Sequence, residues 1–315
     1  MEPATFHSNV AEGPEGGSAY WLTTSDGLRI RLAVWPLAGA KGTVLIFPGR
    51  TEYAEKYGRA AADLARRGYA SVAIDWRGQG LADRLLPNAR LGHVAKFRDY
   101  QKDVSAVMAA LRDVNVPRPF HLLAHSMGGC IGLRAVMDGL DVETAAFSAP
   151  MWGIQIEPHM RPVAWSLSAF LPQVGMGNLR SPGTQNGVYV LDEPFEDNTL
   201  TKDPDMWAYM GRQVTQDPRL SLGSPTIVWL REALWEMRTL SQRPAPKMPC
   251  ICFLGTNERI VDPGRIQTRM DAWPGGELVT FPDAEHETMM EVPAVRNAVF
   301  DRAVALFDQS LAKAA

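Results

Sequence analysis

Six short apolar runs, each closed by turn residues, constrain the fold of this chain more than any other feature. They are Thr43–Phe47, Ala70–Ile74, Phe120–Ala124, Thr144–Phe147, Cys250–Leu254 and Leu278–Phe281. A strand with one wet face alternates apolar and polar residues, whereas these runs are nearly continuous, so both faces are expected to be buried. That is the pattern of a parallel sheet covered by helices on both sides. Helical patterns lie between the runs. Lys56–Arg67 stops at Gly68, and Val104, Val107, Met108, Leu111 and Val114 recur at offsets that make one apolar stripe. Strand and helix in alternation predict βαβ units and a mostly parallel, doubly wound α/β sheet. Ahead of it, Trp21–Thr24 and Leu28–Trp35 alternate around Asp26-Gly27, as in a hairpin.

The alternation stops near Pro150 and resumes near Met248. The intervening residues carry scattered prolines, an acidic stretch from Asp192 to Asp205 and helix-like segments such as Pro225–Leu240. The expected organisation is a flexible N-terminus at 1–18, a core made of 19–150 and 246–315, and a mainly helical insertion at 151–245 over one edge of the sheet.

Composition excludes several function classes. With 32 Lys and Arg against 35 Asp and Glu, the net charge is −3, and no basic cluster offers nucleic acid or anionic lipid an electrostatic footing. No stretch supplies the ~18 uninterrupted apolar residues that a membrane span needs. The opening residues also lack a basic region followed by an apolar one. Cys250 and Cys252 are too close in a strand for an ordinary bridge, leaving Cys130 alone. A reduced, cytoplasmic setting is expected. The histidine and cysteine spacing offers no zinc site, and neither metal nor cofactor is expected.

The strand Phe120–Ala124 runs into His125-Ser126-Met127-Gly128-Gly129 and then a helix with small residues. A serine on a sharp strand-to-helix turn needs small residues two before and two after it, and here they are Ala124 and Gly128. Such an elbow lifts the Ser126 hydroxyl above the sheet and sets the Met127 amide at a helix N-terminus, where it can stabilise an oxyanion. Alone, these residues could equally be an incidental turn.

The later loops decide between the two. A serine nucleophile needs a base, and the base an orienting acid, in the chain order Ser, acid, His. The run Cys250–Leu254 leads into Gly255-Thr256-Asn257-Glu258-Arg259-Ile260-Val261-Asp262, and Leu278–Phe281 leads into Pro282-Asp283-Ala284-Glu285-His286-Glu287. His286 is the last histidine and has no rival after His159. It is the expected base. Either Glu258 or Asp262 can be the acid, while Asp283, Glu285 and Glu287 are expected to face solvent. His121 and His125 are expected to be structural. The second oxyanion amide is expected from Arg50, in the loop Phe47-Pro48-Gly49-Arg50-Thr51-Glu52. The loop Asp75-Trp76-Arg77-Gly78-Gln79-Gly80 is read as a structural tie and not a phosphate cradle.

Together, FPGRTEYAEKYGR, DWRGQGLAD, LAHSMGG, LGTNERIVDP and DAEHE resemble the α/β-hydrolase fold enzymes of the lysophospholipase and monoacylglycerol lipase group, over roughly residues 20 to 310. The resemblance implies an α/β-hydrolase fold with a cap (lid) insertion. It carries the nucleophile to Ser126, the base to His286, the oxyanion amides to Arg50 and Met127, and the acid to Glu258, where Asp is commoner. Pro48 and Ala124 depart from the pattern at the HG motif and the first elbow glycine. The insertion holds five of the nine tryptophans, Trp152, Trp165, Trp207, Trp229 and Trp235. The resemblance implies that this cap shapes an acyl pocket, with Trp152, Trp165 and Trp207 as expected substrate contacts.

The function expected is a serine carboxylic-ester hydrolase that cleaves a lipophilic acyl ester, a lysophospholipid or monoacylglycerol, through an acyl-enzyme on Ser126. Its partners would be that small-molecule ester and, through the cap, a membrane surface touched transiently; nucleic acid is not expected. A short-chain carboxylesterase or thioesterase with the same triad is the first alternative, and a non-catalytic binding protein of the same fold the second.

Overall fold

The computed structural model describes residues 1–157, 159–184 and 187–314, the last three as backbone only. Strands β1 (Glu2–Pro3), β2 (Ser18–Thr23), β3 (Arg29–Trp35), β4 (Thr43–Phe47), β5 (Ala70–Asp75), β6 (Phe120–His125), β7 (Thr144–Ser148), β8 (Cys250–Gly255) and β9 (Gly276–Phe281) form one sheet. Its order is β1-β2-β3-β5-β4-β6-β7-β8-β9. From β5 to β9 every pairing is parallel, and the antiparallel β2–β3 hairpin adds to the β5 edge. Each continuous apolar run is thus a strand. The chain is an α/β-hydrolase fold.

The helices are α1 (Ser8–Ala11), α2 (Gly58–Arg66), α3 (Tyr100–Ala110), α4 (Ser126–Met137), α5 (Arg161–Phe170), α6 (Tyr189–Asp192), α7 (Pro204–Gln216), α8 (Ile227–Ser241), α9 (Pro263–Asp271) and α10 (Pro293–Ala314). Alternate strand residues feed two cores. Leu45, Phe47, Leu122 and Ala124 pack with α3, α4 and α9 on one side of the sheet, while Val44, Ile46, Leu123 and Ala146 pack with α2 and α10 on the other. Burying a side chain of Leu or Phe size contributes about 1.5–3 kcal/mol, so a strand dry on both faces is anchored twice. The exception is β9, expected to be buried on both faces but half-exposed along most of its length. It is an edge strand, with a partner on one side only.

Two further expectations are changed. Residues 1–18 are not a loose lead-in here. Glu2 and Pro3 pair with β2, Arg31 donates to the Thr5 carbonyl at 2.7 Å, and Ala11 is buried with its carbonyl accepting from the Tyr209 hydroxyl at 2.7 Å. Buried donors, Arg31 in the sheet and Tyr209 in α7, take those carbonyls as acceptors, which ties the segment down. The segment between β7 and β8, expected over one edge of the sheet, leaves and re-enters it between two neighbouring inner strands. It rises instead over the C-terminal ends of the central strands. Its Thr199 and Leu200 carbonyls accept from the His286 and Glu287 amides at 3.3 and 2.8 Å.

Candidate active site

Ser126 stands where β6 passes into α4, with a φ of +48°. This left-handed backbone is unfavourable for a residue with a Cβ, and it turns the side chain out of the helix and over the sheet. The turn requires close approach. A Cβ on Gly128 would lie 2.0 Å from the Phe47 carbonyl oxygen, so that position admits only glycine. The Ser126 carbonyl accepts from the Met151 amide at 2.8 Å, fastening the elbow to the chain after β7.

Beside the elbow lies the loop after β4. Its backbone is held by the 75–80 loop: Trp76 Nε1 donates to the Pro48 carbonyl at 2.9 Å, and Gln79 Nε2 donates to those of Gly49 and Glu52 at 2.7 and 3.0 Å. That loop is tied in turn by buried ions. Arg31 bridges Glu55 and Asp75 at 2.6 and 2.7 Å, and Arg77 pairs with Asp103 at 2.7 Å. Met127 lies in the first turn of α4, whose first amides lack intrahelical acceptors. Among the described residues, neither the Met127 nor the Arg50 N–H is taken up by a protein acceptor.

His286 follows β9 and Glu258 follows β8. His286 Nδ1 lies 2.7 Å from Glu258 Oε2, with both side chains buried. The other carboxylate oxygen of Glu258 accepts from the Ile260 and Val261 amides at 2.6 and 2.9 Å. Burial pushes the Glu258 carboxyl up, but His286 and these amides outweigh it and hold it below the usual value. Asp262 is elsewhere. It caps α9, accepting from the Arg265 amide at 3.2 Å.

Ser126 and His286 open on one cavity of about 760 Å³. Its walls are largely apolar and come mostly from the 151–230 stretch, including Met151, Leu167, Val190, Met210 and Trp229. Such a volume holds a ligand of lipid size. The tryptophans expected at the substrate are not in this wall. Trp152 is buried against Phe147 and Trp273, Trp165 packs edge-on against Trp235, and Trp207 packs with Tyr189 and Phe195. Trp152 is buried, whereas Trp165 and Trp207 are partly exposed. Among the described residues, the tryptophan in the wall is Trp229, beside Tyr53 and Tyr189, and the sequence offers no means to single it out from the other four of the insertion.

A second cluster lies beneath the site. Lys56 contacts both Glu52 and Glu287, and His125 Nε2 is 3.3 Å from Glu287 Oε2 and 3.7 Å from Glu52 Oε1. His125 Nδ1, 3.0 Å from the Ser148 carbonyl oxygen, must donate to it. Burial pushes the His125 ring down, but Glu287 and Glu52 outweigh it and raise its pKa. Glu52, His125 and Glu287 have ligand atoms within 4.8 Å of one another. The ammonium of Lys56 already contacts both carboxylates, supplying the positive charge a metal ion would bring. The expectation that Glu285 and Glu287 face solvent is overturned, since both are buried. Glu285 is held by Lys202 at 2.8 Å. The residues next to His286 are buried because cations far away in sequence reach them.

His121 is buried as expected, 2.9 Å from the Thr144 hydroxyl and stacked on Phe307. Burial lowers its pKa to about 4.

Comparison with known proteins agrees with this architecture. The family described as "Serine aminopeptidase, S33" matches residues 38–293. The chain is similar to lysophospholipase L2 of Escherichia coli strain K12, 29% identical over 300 residues that cover 91% of this chain and 86% of that protein. It is also similar to a monoglyceride lipase of Saccharomyces cerevisiae, 23% identical and covering 88% of each. The crystal structure of a soluble variant of the yeast monoglyceride lipase in complex with a substrate analog shares the fold, with a TM-score of 0.73, 21% identity, and coverage of 95% of this chain and 98% of that one.

Proposed function

The chain belongs to the serine aminopeptidase S33 family and is a serine hydrolase of carboxylic esters, and from that premise we propose that it cleaves a lipophilic acyl ester, a lysophospholipid or monoacylglycerol, through an acyl-enzyme on Ser126. His286 removes the Ser126 proton as the hydroxyl attacks the ester carbonyl. Glu258 fixes the ring so that Nδ1 carries the other proton, and its charge stabilises the imidazolium that forms. The oxyanion is taken by the Arg50 and Met127 amides, whose N–H groups have no protein acceptor among the described residues. His286 then protonates the departing alcohol, and it activates the water that releases the fatty acid.

The observation that carries this reading is a strained, positive-φ serine opening with a Glu258-bound histidine onto an apolar cavity of about 760 Å³. A short-chain esterase would have no use for most of that volume. We take residues 151–245 as the cap over this cavity. The end of its helix α5 and the turn after it expose Phe170, Val174 and Met176, apolar groups outside the cavity wall that are suited to transient contact with a lipid surface. Among the described residues no helix is long and apolar enough to cross a membrane. A fluorophosphonate probe should label the protein and fail to label Ser126→Ala. Hydrolysis should favour long-chain monoacylglycerols or lysophospholipids over p-nitrophenyl acetate; a preference for acetyl or butyryl esters would overturn the lipid assignment.

A further inference from the structure

Among the described residues, the arginines and lysines in the cavity wall are Arg50, Lys56 and Arg259. Two are neutralised by carboxylates: Lys56 by Glu52 and Glu287, Arg259 by Asp197 and Glu285. Arg50 is not. Its Nη1 donates to the Gly223 carbonyl at 2.7 Å, and its guanidinium lies 5.7 Å from the centre of the Trp229 ring. Neither contact supplies a negative charge. An ion pulled from water and left unpaired is costly, and burial pushes the Arg50 guanidinium down to about 10. A planar fork with donors unused, facing a ligand cavity, is suited to an anion with two oxygens to offer.

The position of the side chain selects the anion. The same residue presents its amide to the ester carbonyl in the proposed mechanism, so its guanidinium stands one side-chain length from the reacting carbon. In a lysophospholipid the phosphate is separated from that carbon by the glycerol backbone, a comparable reach. In a monoacylglycerol the corresponding place holds a neutral hydroxyl.

We propose that the Arg50 guanidinium binds the headgroup phosphate of a lysophospholipid and makes the cavity prefer phosphate-bearing acyl glycerols to neutral ones. This rests on the lipid-ester reading above and narrows it. The Trp229 ring lies beside the guanidinium, the Gly223 carbonyl occupies one of its donors, and the remaining donors meet the phosphate oxygens.

The test compares kcat/KM for a lysophosphatidylcholine and a monoacylglycerol of the same acyl chain in the wild type, Arg50→Gln and Arg50→Lys. The readout is the ratio of the two substrates, so any loss from a disturbed oxyanion loop cancels. A charge-assisted hydrogen bond to phosphate predicts a fall in that ratio of about 10–100-fold in Arg50→Gln, through KM, with Arg50→Lys between. A second arm needs no variant: glycerophosphocholine should inhibit monoacylglycerol hydrolysis competitively, and far better than glycerol. An unchanged ratio in folded Arg50→Gln, or glycerophosphocholine no better than glycerol, overturns the proposal while leaving the lipase reading intact. Inorganic phosphate equal to glycerophosphocholine also overturns it, by showing a general anion site. A wild type that cleaves neither lipid sinks the reading beneath it as well.

Discussion

Two histidine rings stand 4.7 Å apart at the floor of the cavity, each with a glutamate beside it, and they are built for opposite purposes. His286 has one carboxylate, Glu258, on Nδ1, and lines the cavity with Ser126. His125 has its Nδ1 spent on a backbone carbonyl, and its Nε2 faces two carboxylates that Lys56 also holds. The first arrangement leaves a nitrogen free to take and return a proton. In the second, two anions and two cations balance only when His125 is protonated, and a protonated ring has no lone pair left to act as a base. Pairing a histidine with a carboxylate does not by itself make a base; what matters is whether a nitrogen and an open cavity remain.

The sharpest way to break the contrast is to remove one carboxylate from each side. Glu258→Gln should lower kcat by about 10³–10⁴-fold with little change in melting temperature, because the wrong tautomer and an unsupported imidazolium are penalties of the transition state. Steady-state kinetics and calorimetry check this. A loss below tenfold would remove Glu258 from the role of acid.

Beneath it, Lys56→Met should act on stability. It strands Glu52 and Glu287 in a buried site, so the unfolding free energy from urea titration should fall by about 3–5 kcal/mol. Adding Glu52→Gln and Glu287→Gln should recover most of that, since the stranded charges and not the lost packing cause it. No recovery would mean that the cluster holds the fold by shape alone.

This contrast also marks what could be read from the sequence. The strands from β4 to β8 were legible because burial on both faces leaves a continuous apolar run, a local signal. Ser126, Glu258 and His286 were legible as candidates because each follows such a run at a strand end. Glu285 and Glu287 were misread as solvent-facing because the cations that bury them, Lys202 and Lys56, arrive from elsewhere in the chain. The cap tryptophans were misread for a related reason. A helix carries aromatics on more than one side, and only the tertiary arrangement decides that Trp229 meets the cavity while Trp165 meets Trp235.

A third buried histidine sharpens the comparison through pH. His121 has its pKa lowered to about 4 by burial, against roughly 6.5 in an unfolded chain. Below pH 6.5 the unfolded state therefore binds the proton first, and stability is lost as pH falls towards 4. His125 has its pKa raised above the same reference, so its contribution is complete below pH 6.5 and is lost as pH rises through the folded value. Urea midpoints across pH 5–9 should show both limbs. At pH 5 the acid limb should amount to about 2 kcal/mol, and His121→Asn should flatten that limb alone. A variant whose acid limb is as steep as the wild type's would assign it to carboxylates instead.

The smallest expected effect separates two carboxylates of one loop. Asp262 lies four residues beyond Glu258 and looks like an equal candidate by residue type, but its oxygen accepts from the Arg265 amide at the start of α9. Losing a cap costs about 1 kcal/mol, because one helix-end amide is left to water. Asp262→Ala should therefore lower the urea midpoint slightly and leave kcat within about twofold. The two variants together give a clean dissociation: Glu258→Gln moves turnover without stability, and Asp262→Ala moves stability without turnover. A thousandfold loss in Asp262→Ala would mean that the loop rearranges on substrate binding and exchanges its carboxylates, since the present geometry gives Asp262 no contact through which to act on His286.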